Sequence, residues 1–387
     1  MIPQNNTVIT YSISVKKLRY FRQKMEKSKE DHLSPNFQID ANPEKKNYKL
    51  EIVWRNVVIF AILHSLFLYW LYLIITFQIK FTSFVFCIFY AVLTVFGVTA
   101  GAHRLWTHKS YKANLPVRIF LMLCQSGALQ NHIYEWARDH RVHHKFADTD
   151  ADPHNINRGF FFAHIGWLMC KKHPDVINKG KTIDMSDLLK DPVVVFQKKH
   201  YIPLVLIFNL VLPTYFLHSI LGETLWTAFV CNIGRYVFSL NGTWFVNSAA
   251  HVWGNKPYEI NIKAVECFRL SWLMIGEGWH NYHHVFPWDY KAAELPIYKH
   301  NLTVCILDLM AKAGWVTDLK TVPEEIIRKR AMRTGDKSWK YSGNNVMSSV
   351  NNEDVQNDTK EHTWGWGDKD MSEYEMAAVK ILNRHHE

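Results

Sequence analysis

The chain has 387 residues, 48% of them hydrophobic, and a formal net charge of +10. Both ends are polar and charged while the centre is apolar, which argues against a nucleic-acid binder and for a membrane-embedded core with soluble flanks. The six cysteines (Cys87, Cys124, Cys170, Cys231, Cys267 and Cys305) are scattered with no CxxC pair, which excludes a disulfide framework and a cysteine-based structural zinc site.

Residues 1–50 are rich in Lys, Glu, Asn and Ser and read as a solvated, cytosolic N-terminal arm. No apolar stretch after Met1 has the form of a signal peptide. Four hydrophobic segments follow, at about 57–79, 81–102, 202–221 and 224–250, each long enough to cross a ~30 Å hydrocarbon layer as a helix. The first two form a hairpin around Lys80, and the last two turn at Glu223. Pro203 and Pro213 interrupt the third, and Arg235 and Asn241 lie within the fourth, where they must face protein or water. Lys and Arg crowd the arm, the central loop and the C-terminal part, whereas the two turns hold only Lys80. The positive-inside rule makes that crowded side, with both termini, cytosolic. The expected fold is therefore all-α: four transmembrane helices and a helical cytosolic cap, spanning residues 51–336. Residues 337–387, polar and containing TWGWGDKD, read as a flexible tail.

Chemistry concentrates in histidines. HRLWTH supplies His103 and His108; WARDHRVHH supplies His140, His143 and His144; HNYHH supplies His280, His283 and His284. His251 ends the fourth segment, one turn beyond Asn247. Neutral imidazole is the commonest nitrogen ligand of first-row metals. In H-x-x-H-H on a helix, the three rings share one side. Adjacent histidines still point about 100° apart, so His143 and His144, or His283 and His284, reach two metals more easily than one. The spacing points to a binuclear centre and leaves the metal open, copper included.

The motifs HRLWTH, WARDHRVHH, TDADPHN, RGFFF, HPDV, VNSAAH and GEG-x-HNYHH-x-FPWDY resemble the membrane fatty acyl-CoA desaturases of the stearoyl-CoA type, in order and spacing, over about Leu50 to Asp336. The similarity is greatest to insect Delta(9) and Delta(11) enzymes. The resemblance implies two irons held by His103, His108, His140, His143, His144, His251, His280, His283 and His284, with Asn247 reaching one iron through water. It implies acyl-CoA contacts at Asn56, Asn131, Arg138, Asp139, Lys171, Lys172 and Trp244; Lys171 departs from the family's usual arginine. It also implies an endoplasmic-reticulum enzyme that uses O2 and takes electrons from cytochrome b5 and its reductase. The product would be an unsaturated acyl-CoA, cis and Delta9 by default.

Other departures are His132, Cys267, the run Phe268-Arg269-Leu270-Ser271-Trp272, Trp279, Leu295-Pro296 and Gly242. None removes a histidine of the implied iron set; Trp279 and Gly242 bear on chain length and bond position, not on reaction class. Asp148, Asp150, Asp152 and Glu277 are candidates to orient the histidine rings. Three rivals predict different observables. A di-iron hydroxylase would make an alcohol, a metal carrier would move metal without consuming O2, and a silent relative would bind acyl-CoA without turnover.

Overall fold

The computed structural model describes residues 48–294, 300–339 and 362–383. The chain divides into Met1–Lys49 and Leu50–Glu387, and every element below lies in the second unit. The arm through residue 47, Leu295-Pro296, residues 340–361 and residues 384–387 fall outside the described residues.

The structure is mostly helical. Helix α1, Trp54–Ile75, is apolar on every face and ends where Phe77 takes a left-handed φ of 53°. It therefore stops four residues short of the expected 79. Helix α2 begins at Phe81 and continues through Thr107, its last eleven residues wound as a π-helix. It runs past the expected end at 102 and carries His103 within the helix. Next come α3, Leu115–Ala128, capped by Asn114, and α4, Ile133–Lys145, capped by the His132 side chain. Short helical turns lead to α5, Tyr201–Ile220, in which α and π windings alternate around Pro213. Helix α6, Leu225–Ser248, is followed by a 3-10 turn ending at His251.

α1, α2 and α5 are long and apolar enough to cross a membrane. Twenty-two residues at about 1.5 Å each span about 33 Å, enough for the ~30 Å hydrocarbon core. Ile62, Leu68, Ile75, Phe81, Phe89, Ile202, Val211 and Ile220 stand exposed on their outer faces. An exposed apolar belt of that size needs lipid or protein to cover it. α6 has the length but a more polar composition, because much of it faces protein. Buried Arg235 donates to Asn232 Oδ1 at 2.7 Å, and Asn232 donates to the Asn209 carbonyl on α5 at 2.8 Å.

The remaining elements pack beside the ends of these helices. They include α7, His280–Val285; α8, Leu302–Lys312; α9, Glu324–Thr334; and α10, Glu373–Ala378, with a short helix at Phe268–Leu273 before α7. Two antiparallel ribbons modify the all-α expectation. β1, Lys112–Ala113, pairs with β2, Val316–Thr317; β3, Leu319–Thr321, pairs with β4, Lys380–Leu382, in the register Leu319↔Leu382. The second ribbon corrects the expectation of a flexible tail for residues 362–383. That segment is folded, with Trp364 and Met371 buried, because its aromatic and apolar side chains find a surface among Tyr258, Phe286 and Trp288 and over Arg141.

Candidate metal centre

The H-x4-H spacing does not suit an α-helix, where residues five apart point about 140° away from each other at 100° per residue. The π winding resolves this. The His108 amide donates to the His103 carbonyl at 3.1 Å, an i→i+5 bond, so the two rings lie on the same side with centroids 4.7 Å apart. Gly97 opens the wound segment at a close approach to α3, where an added Cβ would lie 2.6 Å from the Cys124 carbonyl carbon. The carbonyls at the end of α2 are satisfied by Arg141 of α4. Its guanidinium donates to Trp106 O at 2.8 Å and Thr107 O at 3.1 Å, and pairs with Asp187 at 2.7 Å. One buried arginine thus locks the helix bearing His103 and His108 onto the helix bearing His140, His143 and His144.

The third cluster is held by Asn281. Its side chain accepts from the Tyr258 amide at 2.9 Å and donates to the Glu259 and Ala264 carbonyls at 3.0 and 2.9 Å. The nine histidines converge in two groups. His103, His108, His140, His144 and His283 form one; His143, His251, His280 and His284 form the other. Within each group, one ring nitrogen per residue lies within 4.8 Å of all the others. His143 and His144 divide between the groups, as do His283 and His284.

The residues fit bound metal. Nε2 atoms face one another at 2.8 Å (His103–His283), 3.0 Å (His283–His144), 3.2 Å (His143–His284), 3.1 Å (His284–His280) and 3.0 Å (His280–His251). Among the described residues, His108 Nε2 and His140 Nε2 are buried with no hydrogen-bond partner. Burial holds the pKa of His108, His140, His144, His251, His280, His283 and His284 well below the usual imidazole range, and of His143 at about 3. Ring nitrogens facing one another at these distances are poorly satisfied as hydrogen bonds. A cation in each group would satisfy them.

Carboxylates orient some of the rings. Asp152 Oδ1 lies 2.9 Å from His143 Nδ1, and Glu277 Oε2 lies 3.0 Å from His103 Nδ1. Burial alone would raise the Glu277 pKa, but Arg104, at 2.8 Å, and His103 hold it at about 2. Asp148 stands 3.9 Å from His251 Nδ1, beyond hydrogen-bond reach. Asp150 sits apart, with His173 and Asp175.

A cavity of about 610 Å³ opens beside His140, within the size range of small-molecule sites. Ile59, Phe60 and Leu63 of α1, Val205, Leu206 and Leu210 of α5, and Phe229, Ile233 and Leu240 of α6 line it, so its wall is largely apolar. Asn131, Asp139, Trp244 and Asn247 line it as well. Exposed Asn131 takes a left-handed φ of 66°. Trp244 is buried, with its ring edge-on to Phe60.

The other expected contacts are placed differently. Arg138 and Lys172 form an ion cluster with Glu135 and Asp139, at 2.9 Å for Arg138–Asp139 and 2.5 Å for Lys172–Asp139. Asn56 donates to Leu168 O at 2.8 Å beside the cavity. Lys171 pairs with Glu51 on the surface. Gly242 does not line the cavity; it gives room to Met274. Three residues escaped sequence reasoning: His154, which lines the cavity with its ring 4.2 Å from His143; Arg104; and the Trp364 carbonyl against His108 Nδ1. His154 lies inside the recognisable TDADPHN motif and Arg104 inside HRLWTH, whereas Trp364 lies in the TWGWGDKD stretch read as tail.

The fatty acid desaturase family matches residues 79–303. The acyl-CoA Delta-9 desaturase of Acheta domesticus is 49% identical over 346 residues, 89% of this chain and 90% of that protein. The acyl-CoA Delta-12 desaturase of Tribolium castaneum is 48% identical over 88% of this chain and 94% of its own length. The acyl-CoA Delta(11) desaturase of Trichoplusia ni is 47% identical over 85% and 88%. The chain belongs to the fatty acid desaturase family. Within that family it is similar to the acyl-CoA desaturases of insects.

Proposed function

We propose that the chain is an acyl-CoA desaturase that inserts a double bond, cis and Delta9 by default, into a saturated fatty acyl-CoA, using O2, two irons and electrons from cytochrome b5 and its reductase. The observation that carries the reading is the meeting of two converged histidine groups with a lipid-sized apolar cavity at His140. Removing hydrogen from unactivated methylenes is O2 chemistry that bound iron supplies, because no side-chain acid or base reaches it.

The chain's own residues bind and position. His103, His108, His140, His144 and His283 would hold one iron, and His143, His251, His280 and His284 the other, with Asn247 near through water. Arg138 and Lys172 are suited to the phosphates of the CoA head, the first bidentately and the second as a point charge. Asn56, Asn131, Asp139, Lys171 and Trp244 complete the proposed substrate contacts. The apolar wall excludes water from the acyl tail and fixes which carbon lies at the histidines. Relatives of Delta-9, Delta-11 and Delta-12 specificity match at 47–49% identity, which fits a position set by anchor and cavity rather than by fold.

Polar residues facing protein make α6 suitable as a fourth span, with the histidine-bearing half as a cytosolic cap and the enzyme in the endoplasmic-reticulum membrane. The test is expression in desaturase-deficient cells with location of the new double bond. An alkene supports the reading; an alcohol would instead favour a hydroxylase.

A further inference from the structure

His108 is, among the described residues, the one ring of the two groups whose orienting partner comes from far outside the matched family region. Among the described residues, Glu277 serves His103 and Asp152 serves His143, both within residues 79–303. His108 Nδ1 instead donates to the backbone carbonyl of Trp364. A second bond runs beside it, from the Trp366 amide to the His108 carbonyl at 2.9 Å. Residues 364–366 therefore grip His108 by ring and backbone together.

The grip depends on a small residue. Gly365 has a φ of 151°, and an added Cβ would stand 2.7 Å from His108 Cα and 2.7 Å from its carbonyl oxygen. The segment is anchored on both sides. The Arg141 guanidinium lies 3.9 Å over the Trp364 ring. Asp368 accepts from the Trp364 amide at 3.0 Å and from Lys145 at 3.0 Å, and Lys145 also pairs with Asp370. Met371 is buried among Tyr258, Phe286 and Trp288, and β4 completes a ribbon with β3.

We propose that the 362–383 segment is a positioning strap for the metal centre. Through the Trp364 carbonyl it fixes the His108 tautomer with the proton on Nδ1, leaving the Nε2 lone pair for the metal of the first histidine group. The reasoning rests on the two-metal reading above. It adds that the site is completed by a segment folding back from beyond the matched region. Outer partners of this kind typically change metal affinity about 10–100-fold. Among the described residues, none of the strap's hydrogen bonds reaches His143, His251, His280 or His284, so its direct effect falls on the metal of the first group.

The test uses full-length protein in detergent, titrated with Zn2+ and then challenged with a chelator, with metal counted per chain. Three proteins are compared: wild type, Gly365→Ala, and a control, Glu373→Ala, at an exposed position of α10. The strap account expects two metals retained by wild type and control. In Gly365→Ala one metal should be lost or weakened about 10–100-fold while the other holds. Truncation before residue 362 should give the same one-metal pattern. Retention of both metals at wild-type affinity in Gly365→Ala would overturn the proposal, as would equal weakening of both with unchanged thermal unfolding. Fewer than two metals in the wild type would overturn the two-metal reading itself, and so separates the two failures.

Discussion

Glu277 separates metal orientation from protein stability. Its carboxylate lies 3.0 Å from His103 Nδ1 and 2.8 Å from Arg104 Nη2, with all three groups buried. Replacing Glu277 with Leu leaves the Arg104 guanidinium with the Tyr290 carbonyl, at 2.9 Å, but without its anion. Breaking a buried ion pair on one side costs about 3–5 kcal/mol. Removing both partners, as Arg104→Met with Glu277→Leu, is about neutral by the same reasoning, because no uncompensated charge stays buried. Both variants take the orienting acceptor from His103. Each is expected to lose about 10–100-fold in metal affinity, or about 1.4–2.7 kcal/mol. Thermal unfolding of the metal-free proteins in detergent reads the first quantity, and metal titration the second. The double variant should regain stability and not metal affinity. If it recovers both, Glu277 acts only through the fold and the orienting role is wrong.

Other expectations follow from neighbouring groups. Burial raises the Glu266 pKa to about 8, so its contribution is full below the ordinary carboxylate pKa and is lost as pH rises through 8. Glu266→Gln, which can still accept the Tyr282 amide, should flatten the fall in unfolding temperature over that window; an unchanged profile would count against it. Lys172→Met should raise KM for acyl-CoA about 10-fold or more with little change in kcat, as expected for a lost charged contact to phosphate; equal KM for both proteins would place the anchor elsewhere. Ile233→Trp, which fills the cavity beside Leu240, should shorten the preferred acyl chain in product analysis. An unchanged chain-length profile would mean that the tail lies in another channel.

The parts of the fold that were legible in the sequence were those set by local period. Long apolar runs marked four expected spans, of which three are helices long and apolar enough to cross a membrane, and H-x-x-H-H placed His140, His143 and His144 on one helix, split between two groups. His103 and His108 were found by residue type but not by geometry, since their shared face depends on the π winding that begins at Gly97, beside α3. The strap was hidden by composition. Its polar residues and glycines look like a tail, and a backbone carbonyl leaves no trace in side-chain chemistry. Two signals were nevertheless present: the aromatic pair Trp364 and Trp366, and Ser372 with Glu375, which form a capping box at the start of α10. Buried pairs such as Arg104–Glu277 join residues too distant in sequence for spacing to reveal.

The central claim is that the two histidine groups hold metal that acts on a lipid in the adjoining cavity. The most direct measurement combines iron content with the products formed by purified wild type and by His143→Ala and His284→Ala. The account predicts two irons per chain and an unsaturated acyl-CoA from wild type, with iron reduced and desaturation abolished in both variants. Normal desaturation by either variant would contradict it.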